Sequence, residues 1–231
     1  MVKPGEVLIF DMDGVLVDVG DSYRESIIET VRFFTGRSVS REEIQAYKNR
    51  GGWNDDWQLS RRICADLGVE VDYDTVVERF IRIFAGEARN GDGLIRNERW
   101  IARPGVLERL SERYGLGIYS GRRHWEIDLT LNRFAPAIRF DPRIAADDVQ
   151  NLKPAPDGLL LAAAAKPGQT LWYIGDTVDD ARCARAAGAG FIGIASPASP
   201  RYAESRALLF EENAAAVLDD MNQLEEVLAA G

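Results

Sequence analysis

Val7-Leu8-Ile9-Phe10-Asp11-Met12-Asp13-Gly14-Val15-Leu16-Val17-Asp18 is the stretch on which the fold turns. Four apolar residues, three of them branched and one aromatic, run straight into two carboxylates. A run of this kind reads as a buried strand of a parallel sheet. Asp11 then falls at the carboxyl end of that strand, where open α/β sheets hold their ligands. Two carboxylates one residue apart repel each other. A hard cation such as Mg²⁺, which takes oxygen ligands, offsets that repulsion. Gly14 lets the backbone turn sharply behind the pair. An Asp-rich turn closing an ordinary strand gives the same local pattern, so the residues downstream decide between the two.

Three later stretches carry chemistry-bearing side chains at matching places. Residues 115–120 read as a strand ending in Ser120-Gly121-Arg122. A hydroxyl, the next backbone N–H and a flexible glycine suit a phosphate oxygen. Arg122 adds anion affinity, whereas Arg123 reads as a solvated charge at a helix start. Lys153-Pro154 is expected to open a helix running to Ala165, with the proline at its first helical position. Residues 171–175 form an apolar strand that runs into Asp176-Thr177-Val178-Asp179-Asp180, and a helix follows to Ala187. Further strands are expected at 143–145, 190–194 and, as a short edge strand, 208–210. Helices are expected at about 104–113, 124–133 and 219–229. Strand–helix alternation of this kind implies right-handed crossovers and a doubly wound, Rossmann-like α/β parallel sheet.

Residues 19–98 have another character, with helical patterns throughout. A helix from Asp21-Ser22 carries Ile27, Ile28, Val31 and Phe34 and stops at Gly36. Ser40-Arg41-Glu42-Glu43 is a capping-box sequence opening a second helix to about Asn49. Asn54 is expected to cap a third, which ends at Gly68, and Thr75-Val76-Val77-Glu78 opens a fourth. The domain expectation is therefore a core of residues 1–18 and 99–231 with an all-helical insert, 19–98.

Asp11-x-Asp13, Ser120, Lys153-Pro154 and Gly175-Asp176 with Asp180 occur in this order along the chain. Together they resemble the four motifs of the haloacid dehalogenase-like hydrolase superfamily, in its helical-cap phosphatase subgroup. The resemblance implies that residues 19–98 are a cap domain. It implies that Asp11 is a nucleophile forming an aspartyl-phosphate, and that the Asp13 side chain is the acid and base. Lys153 is then a catalytic cation beside Asp11. Mg²⁺ is held by Asp11, Asp13 (through its backbone carbonyl) and Asp176, and Asp180 serves the outer metal shell or Lys153. Ser120, Gly121 and Arg122 bind the phosphoryl group.

Composition narrows the classes. The net charge of −9, from 28 basic and 37 acidic residues, makes a nucleic-acid partner unexpected. No apolar run is long enough for a bilayer, and the N-terminal residues, with one Lys before a short strand, lack a secretory apolar region. Cys64 and Cys183 read as core residues of a cytoplasmic protein. His124 is the only histidine, which leaves no zinc pattern.

The expected activity is Mg²⁺-dependent hydrolysis of a small phosphorylated metabolite. The alternatives are a sugar phosphomutase of the same superfamily and a non-catalytic phospholigand-binding protein. Dehalogenases of the superfamily lack the second carboxylate, and binding descendants lose an active-site one, whereas every one is present here. A phosphonate hydrolase would need a cap lysine, and Lys48 is the only lysine in residues 19–98. Substrate choice is assigned to Lys48, Arg50, Asn54 and Asp55, although a helix–loop–helix corner explains these residues as well. Asp55 and Asp56 could face a substrate amine. The stretch 48–57, with Ser120-Gly121-Arg122 and Gly175-Asp176-Thr177-Val178-Asp179-Asp180, resembles a subfamily linked to histidine biosynthesis, which adds histidinol phosphate to phosphoglycolate and sugar phosphates as candidates.

Overall fold

The computed structural model describes residues 5–230. The expectation about the first residues therefore lies, for 1–4, outside the described part. In chain order the strands are β1 (Glu6–Phe10), β2 (Val17–Asp18), β3 (Arg99–Trp100), β4 (Gly115–Tyr119), β5 (Arg143–Ile144), β6 (Thr170–Gly175), β7 (Gly190–Ile194) and β8 (Ala216–Leu218). The helices are α1 (Tyr23–Thr35), α2 (Arg41–Arg50), α3 (Asp56–Asp66), α4 (Tyr73–Ala85), α5 (Val106–Ser111), α6 (His124–Phe134), α7 (Asp157–Ala165), α8 (Val178–Ala187), α9 (Tyr202–Glu211) and α10 (Leu224–Ala230).

Six strands make one sheet in the order β5-β4-β1-β6-β7-β8, and every neighbouring pair is parallel. β1 is flanked by β4 and β6, so the chain winds outward from it in both directions. That is the switch point at which doubly wound sheets bind ligands. Val7 and Ile9 join one apolar cluster with Tyr119, Tyr173, Leu159 of α7, Cys183 and Ala184 of α8 and Leu209 of α9. Phe10 points the other way and meets the Phe140 ring edge-on at 6.5 Å. Both faces of β1 are thus covered, which explains its unbroken apolar run.

The chain divides into two compact units, one of them Asp18–Arg99 and the other made by the flanking segments. The two-residue strands β2 and β3 pair where the chain leaves one unit and returns. In the Asp18–Arg99 unit, α1, α3 and α4 pack together, and the Tyr23 ring lies 5.7 Å from Phe80 and 4.1 Å from Phe84. The Ser40–Glu43 capping box forms as expected.

Local assignments differ from the expectation in several places, among them α4, which starts at Tyr73 behind an Asp72 cap rather than at Thr75, and α10, which starts at Leu224 rather than near Asp219. Asp55, not Asn54, caps α3, because its carboxylate accepts from the N–H groups of Trp57 and Gln58. Helix α7 starts at Asp157 rather than Pro154, since the preceding segment closes a turn in which Ala155 N–H donates to the Leu152 carbonyl at 3.0 Å. Residues 208–210 are helical within α9, with Leu209 alone of the three buried. The edge strand is β8, further along.

Candidate active site

Asp11 follows the last residue of β1, and its N–H donates to the Ile174 carbonyl of β6 at 2.9 Å. The ladder thus extends one residue beyond the strand and aims the carboxylate over the sheet edge. Beyond it the chain folds into a tight loop in which the Met12 carbonyl accepts from the N–H groups of Val15, Leu16 and Val17. Gly14 is held at φ +75°, and a Cβ there would come within 2.2 Å of Asp176 Oδ2. Any other residue would be strained and would displace that carboxylate.

Asp11 is 4% exposed. Its Oδ1 accepts from Met12 N–H at 2.7 Å and its Oδ2 from Lys153 Nζ at 2.9 Å. The same ammonium donates to Asp180 Oδ1 and to Tyr173 Oη, each at 2.8 Å. Asp180 Oδ2 accepts from Thr177 N–H at 3.0 Å, Thr177 Oγ1 at 2.7 Å and Asp176 N–H at 3.2 Å. Asp180 is therefore both the third residue of α8, closing the capping box that Thr177 opens, and the anchor of Lys153. Gly175 leaves room for it, since a Cβ there would lie 2.4 Å from Asp180 Cβ.

The two carboxylates on Lys153 titrate in opposite directions. Burial pushes Asp11 up to about 6, against the attraction of Lys153 and with added repulsion from Asp180 and Asp13. Burial also opposes the Asp180 charge, but Lys153 and the Thr177 hydrogen bonds hold that carboxyl below its ordinary range. Lys153 is likewise disfavoured by burial, and the charges of Asp11 and Asp180 overcome this and raise it well above an ordinary lysine.

Oxygen atoms of Asp11, Asp176 and Asp180 all lie within 4.8 Å of one another. An all-carboxylate donor set suits a hard divalent cation rather than a soft metal. Lys153 meets Asp11 and Asp180, and Arg122 meets Asp13. The Asp13 side chain lies outside this cluster.

Ser120 is buried just past β4, and its hydroxyl accepts from Arg122 N–H at 3.3 Å, while Gly121 is exposed at the turn. Arg122 departs from the expectation of a phosphate ligand. Its side chain is 1% exposed, and its guanidinium grips Asp13 Oδ1 and Thr130 Oγ1. Sequence reasoning missed Thr130 and Tyr173. A tyrosine inside an apolar strand was the available signal for the second, because a buried hydroxyl needs a partner.

The four residues assigned to substrate choice divide within their own unit. Lys48 is buried and pairs with Asp56 at 2.6 Å, a contact not aligned as a hydrogen bond, and Arg24 reaches the other Asp56 oxygen at 3.3 Å. Asp55 is occupied as the α3 cap and also accepts from Tyr73 Oη at 3.0 Å. Asp56, too, faces cations of its own unit. Arg50 is exposed beside the Tyr47 ring at 5.2 Å, and Asn54 is half-buried.

The model of the family described as haloacid dehalogenase-like hydrolase matches residues 8–194, from β1 through β7. The chain belongs to this family. An imidazoleglycerol-phosphate dehydratase of Phytophthora nicotianae is 33% identical over 94% of the chain, which spans 48% of that protein's length. A phosphoglycolate phosphatase of Salmonella typhimurium is 29% identical over 80% of the chain and 79% of its own length. A haloacid dehalogenase-like protein of Agrobacterium tumefaciens shares the fold, with a TM-score of 0.73, 23% identity and 97% of each chain covered. Among the described residues no helix is long and apolar enough to cross a membrane.

Proposed function

We propose that this haloacid dehalogenase-like hydrolase is a Mg²⁺-dependent phosphatase that acts on a small phosphate monoester through an aspartyl-phosphate. The observation that carries the reading is the separation of two neighbouring carboxylates into different settings. Asp11 lies buried against Lys153, while Asp13 is 23% exposed at its side chain and faces Arg122. Such a division fits one carboxylate as nucleophile and the other as acid and base.

In this reading Asp11 Oδ attacks phosphorus, an Asp11–O–P bond forms, and the P–O bond to the leaving group breaks. Asp13 gives the departing oxygen its proton. Asp13 then takes a proton from water, the water oxygen attacks phosphorus, and the Asp11–O–P bond breaks to release phosphate. Ser120, the Gly121 N–H and Lys153 hold phosphoryl oxygens during both steps. Mg²⁺, when bound by Asp11, Asp176 and the Asp13 carbonyl with Asp180 behind them, supplies charge neutralisation at the phosphoryl group. The Asp18–Arg99 unit acts as the cap, with Arg50 and Asn54 as its candidate substrate contacts. Lys48 and Asp55 keep a role there only by shaping the unit. Two free, buried cysteines fit the cytoplasm.

The names of the relatives put phosphoglycolate and imidazoleglycerol phosphate in the substrate panel, and the sequence resemblances add histidinol phosphate and sugar phosphates. Phosphate release is measured from each, with Mg²⁺ and with chelator. The expected result is Mg²⁺-dependent release that Asp11→Asn abolishes. Release undiminished in chelator overturns the metal assignment, and no release from any ester overturns the phosphatase reading. Transfer of phosphate within one sugar without release identifies a mutase instead.

A further inference from the structure

Arg122 was expected to bind phosphate, yet its guanidinium is enclosed in the protein. Both Nε and Nη2 converge on a single atom, Asp13 Oδ1, at 2.8 and 2.6 Å. Nη1 donates to Thr130 Oγ1 at 2.7 Å, and Thr130 is 1% exposed on α6. An arginine facing a carboxylate usually spreads its donors over both oxygens. Here two donors hold one oxygen, and Arg122 leaves Asp13 Oδ2 ungripped. The guanidinium is a rigid planar fork, so fixing its far end on Thr130 fixes the near end as well.

We propose that Arg122, held by Thr130, is a positioning residue that locks Asp13 in the orientation in which Oδ2 carries the proton. The inference rests on the phosphatase reading and deepens it. Arg122 touches no phosphoryl oxygen in this account; it acts through Asp13. Its chemistry predicts which substrates depend on it. An alkyl phosphate expels an alkoxide that must be protonated as the P–O bond breaks. An aryl or acyl phosphate expels an anion stable without that proton. Loss of a well-aimed acid therefore weakens turnover of alkyl esters far more than that of p-nitrophenyl or acetyl phosphate.

The test compares kcat/KM, which reports the steps up to departure of the leaving group, for an alkyl phosphate and for p-nitrophenyl phosphate. The alkyl substrate is the best ester found in the panel. Arg122→Lys keeps the charge and loses the fork, and the alkyl-to-aryl ratio is expected to fall at least about tenfold, a part of the roughly 10²–10⁴-fold that general acid catalysis supplies. Thr130→Val is expected to lower the ratio in the same direction by a smaller factor, and Thr130→Ser, which keeps the hydroxyl, to restore it. A crystal structure of Thr130→Val is expected to show Asp13 in more than one rotamer. Equal losses on both substrates, or an unchanged ratio with Asp13 in one rotamer, overturn the proposal. Should Arg122→Lys fail to fold, the Thr130 pair decides alone. A wild-type protein that releases no phosphate counts against the phosphatase reading; a working wild type with an unmoved ratio counts against Arg122.

Discussion

Lys153 lies between two carboxylates whose substitution by asparagine has opposite consequences. Asparagine imitates a neutral carboxyl. Because burial raises Asp11 from 3.8 to about 6, ionising it disfavours the folded state. Stability therefore falls as pH rises through that window. In chelator, Asp11→Asn is expected to gain stability relative to wild type as pH rises through the raised Asp11 range, and to lose that gain again as pH falls back into the ordinary carboxylate range. Asp180 has the reverse sign. Its charge is favoured by Lys153 and Thr177, so it contributes stability that is lost as pH falls through its lowered folded value. Asp180→Asn breaks a fully buried pair and is expected to cost about 3 kcal/mol at pH 7. Urea melts of the two variants at pH 4 and pH 7 check both signs. For activity, Asp13→Asn is expected to slow phosphate release at least about 10²-fold, measured at saturating substrate.

At the scale of elements, α3 gives a discriminating pair. Asp55 caps two N–H groups and binds Tyr73, so Asp55→Ala is expected to destabilise by about 1–2 kcal/mol. Asn54→Ala is expected to leave thermal stability nearly unchanged and to raise KM for the best substrate. Equal loss of stability in both variants, with KM unmoved, makes this segment a structural corner alone. The same helix shows how far sequence can be read. Asn54 and Asp55 are adjacent and both are good caps, and only the backbone path decides which side chain meets the first turn. Leu208-Leu209-Phe210 was misread for a related reason. Three apolar residues fit a strand and a helix equally, and the helix buries just the middle one. The long apolar runs of β1 and β6 were legible because both faces of each strand are covered. The carboxylates proposed for catalysis were legible because they follow those strands directly. The Arg122–Asp13 pairing joins residues 109 positions apart and carries no sequence period, so only the folded chain reveals it.

For the whole molecule, the sheet is a device that brings four loops to one edge. β1, β4 and β6 deliver Asp11, Ser120 and Asp176 from neighbouring strand ends, and Lys153 arrives from the turn before α7. A ligand that binds this folded arrangement and not the open chain stabilises the fold by mass action. Mg²⁺ is accordingly expected to raise the melting temperature of wild type, and Asp176→Ala to abolish that rise while retaining the metal-free melting temperature. Scanning calorimetry across a Mg²⁺ series measures it.

The central claim is that Asp11 forms a covalent bond to phosphorus. Single-turnover reaction with ³²P-labelled substrate, quenched in acid within milliseconds and digested at low pH, tests it directly. The account predicts a hydroxylamine-sensitive acyl phosphate on the peptide containing Asp11, retained longer in Asp13→Asn and absent in Asp11→Asn. Phosphate release at the full wild-type rate with no labelled peptide, or with label on another residue, contradicts it.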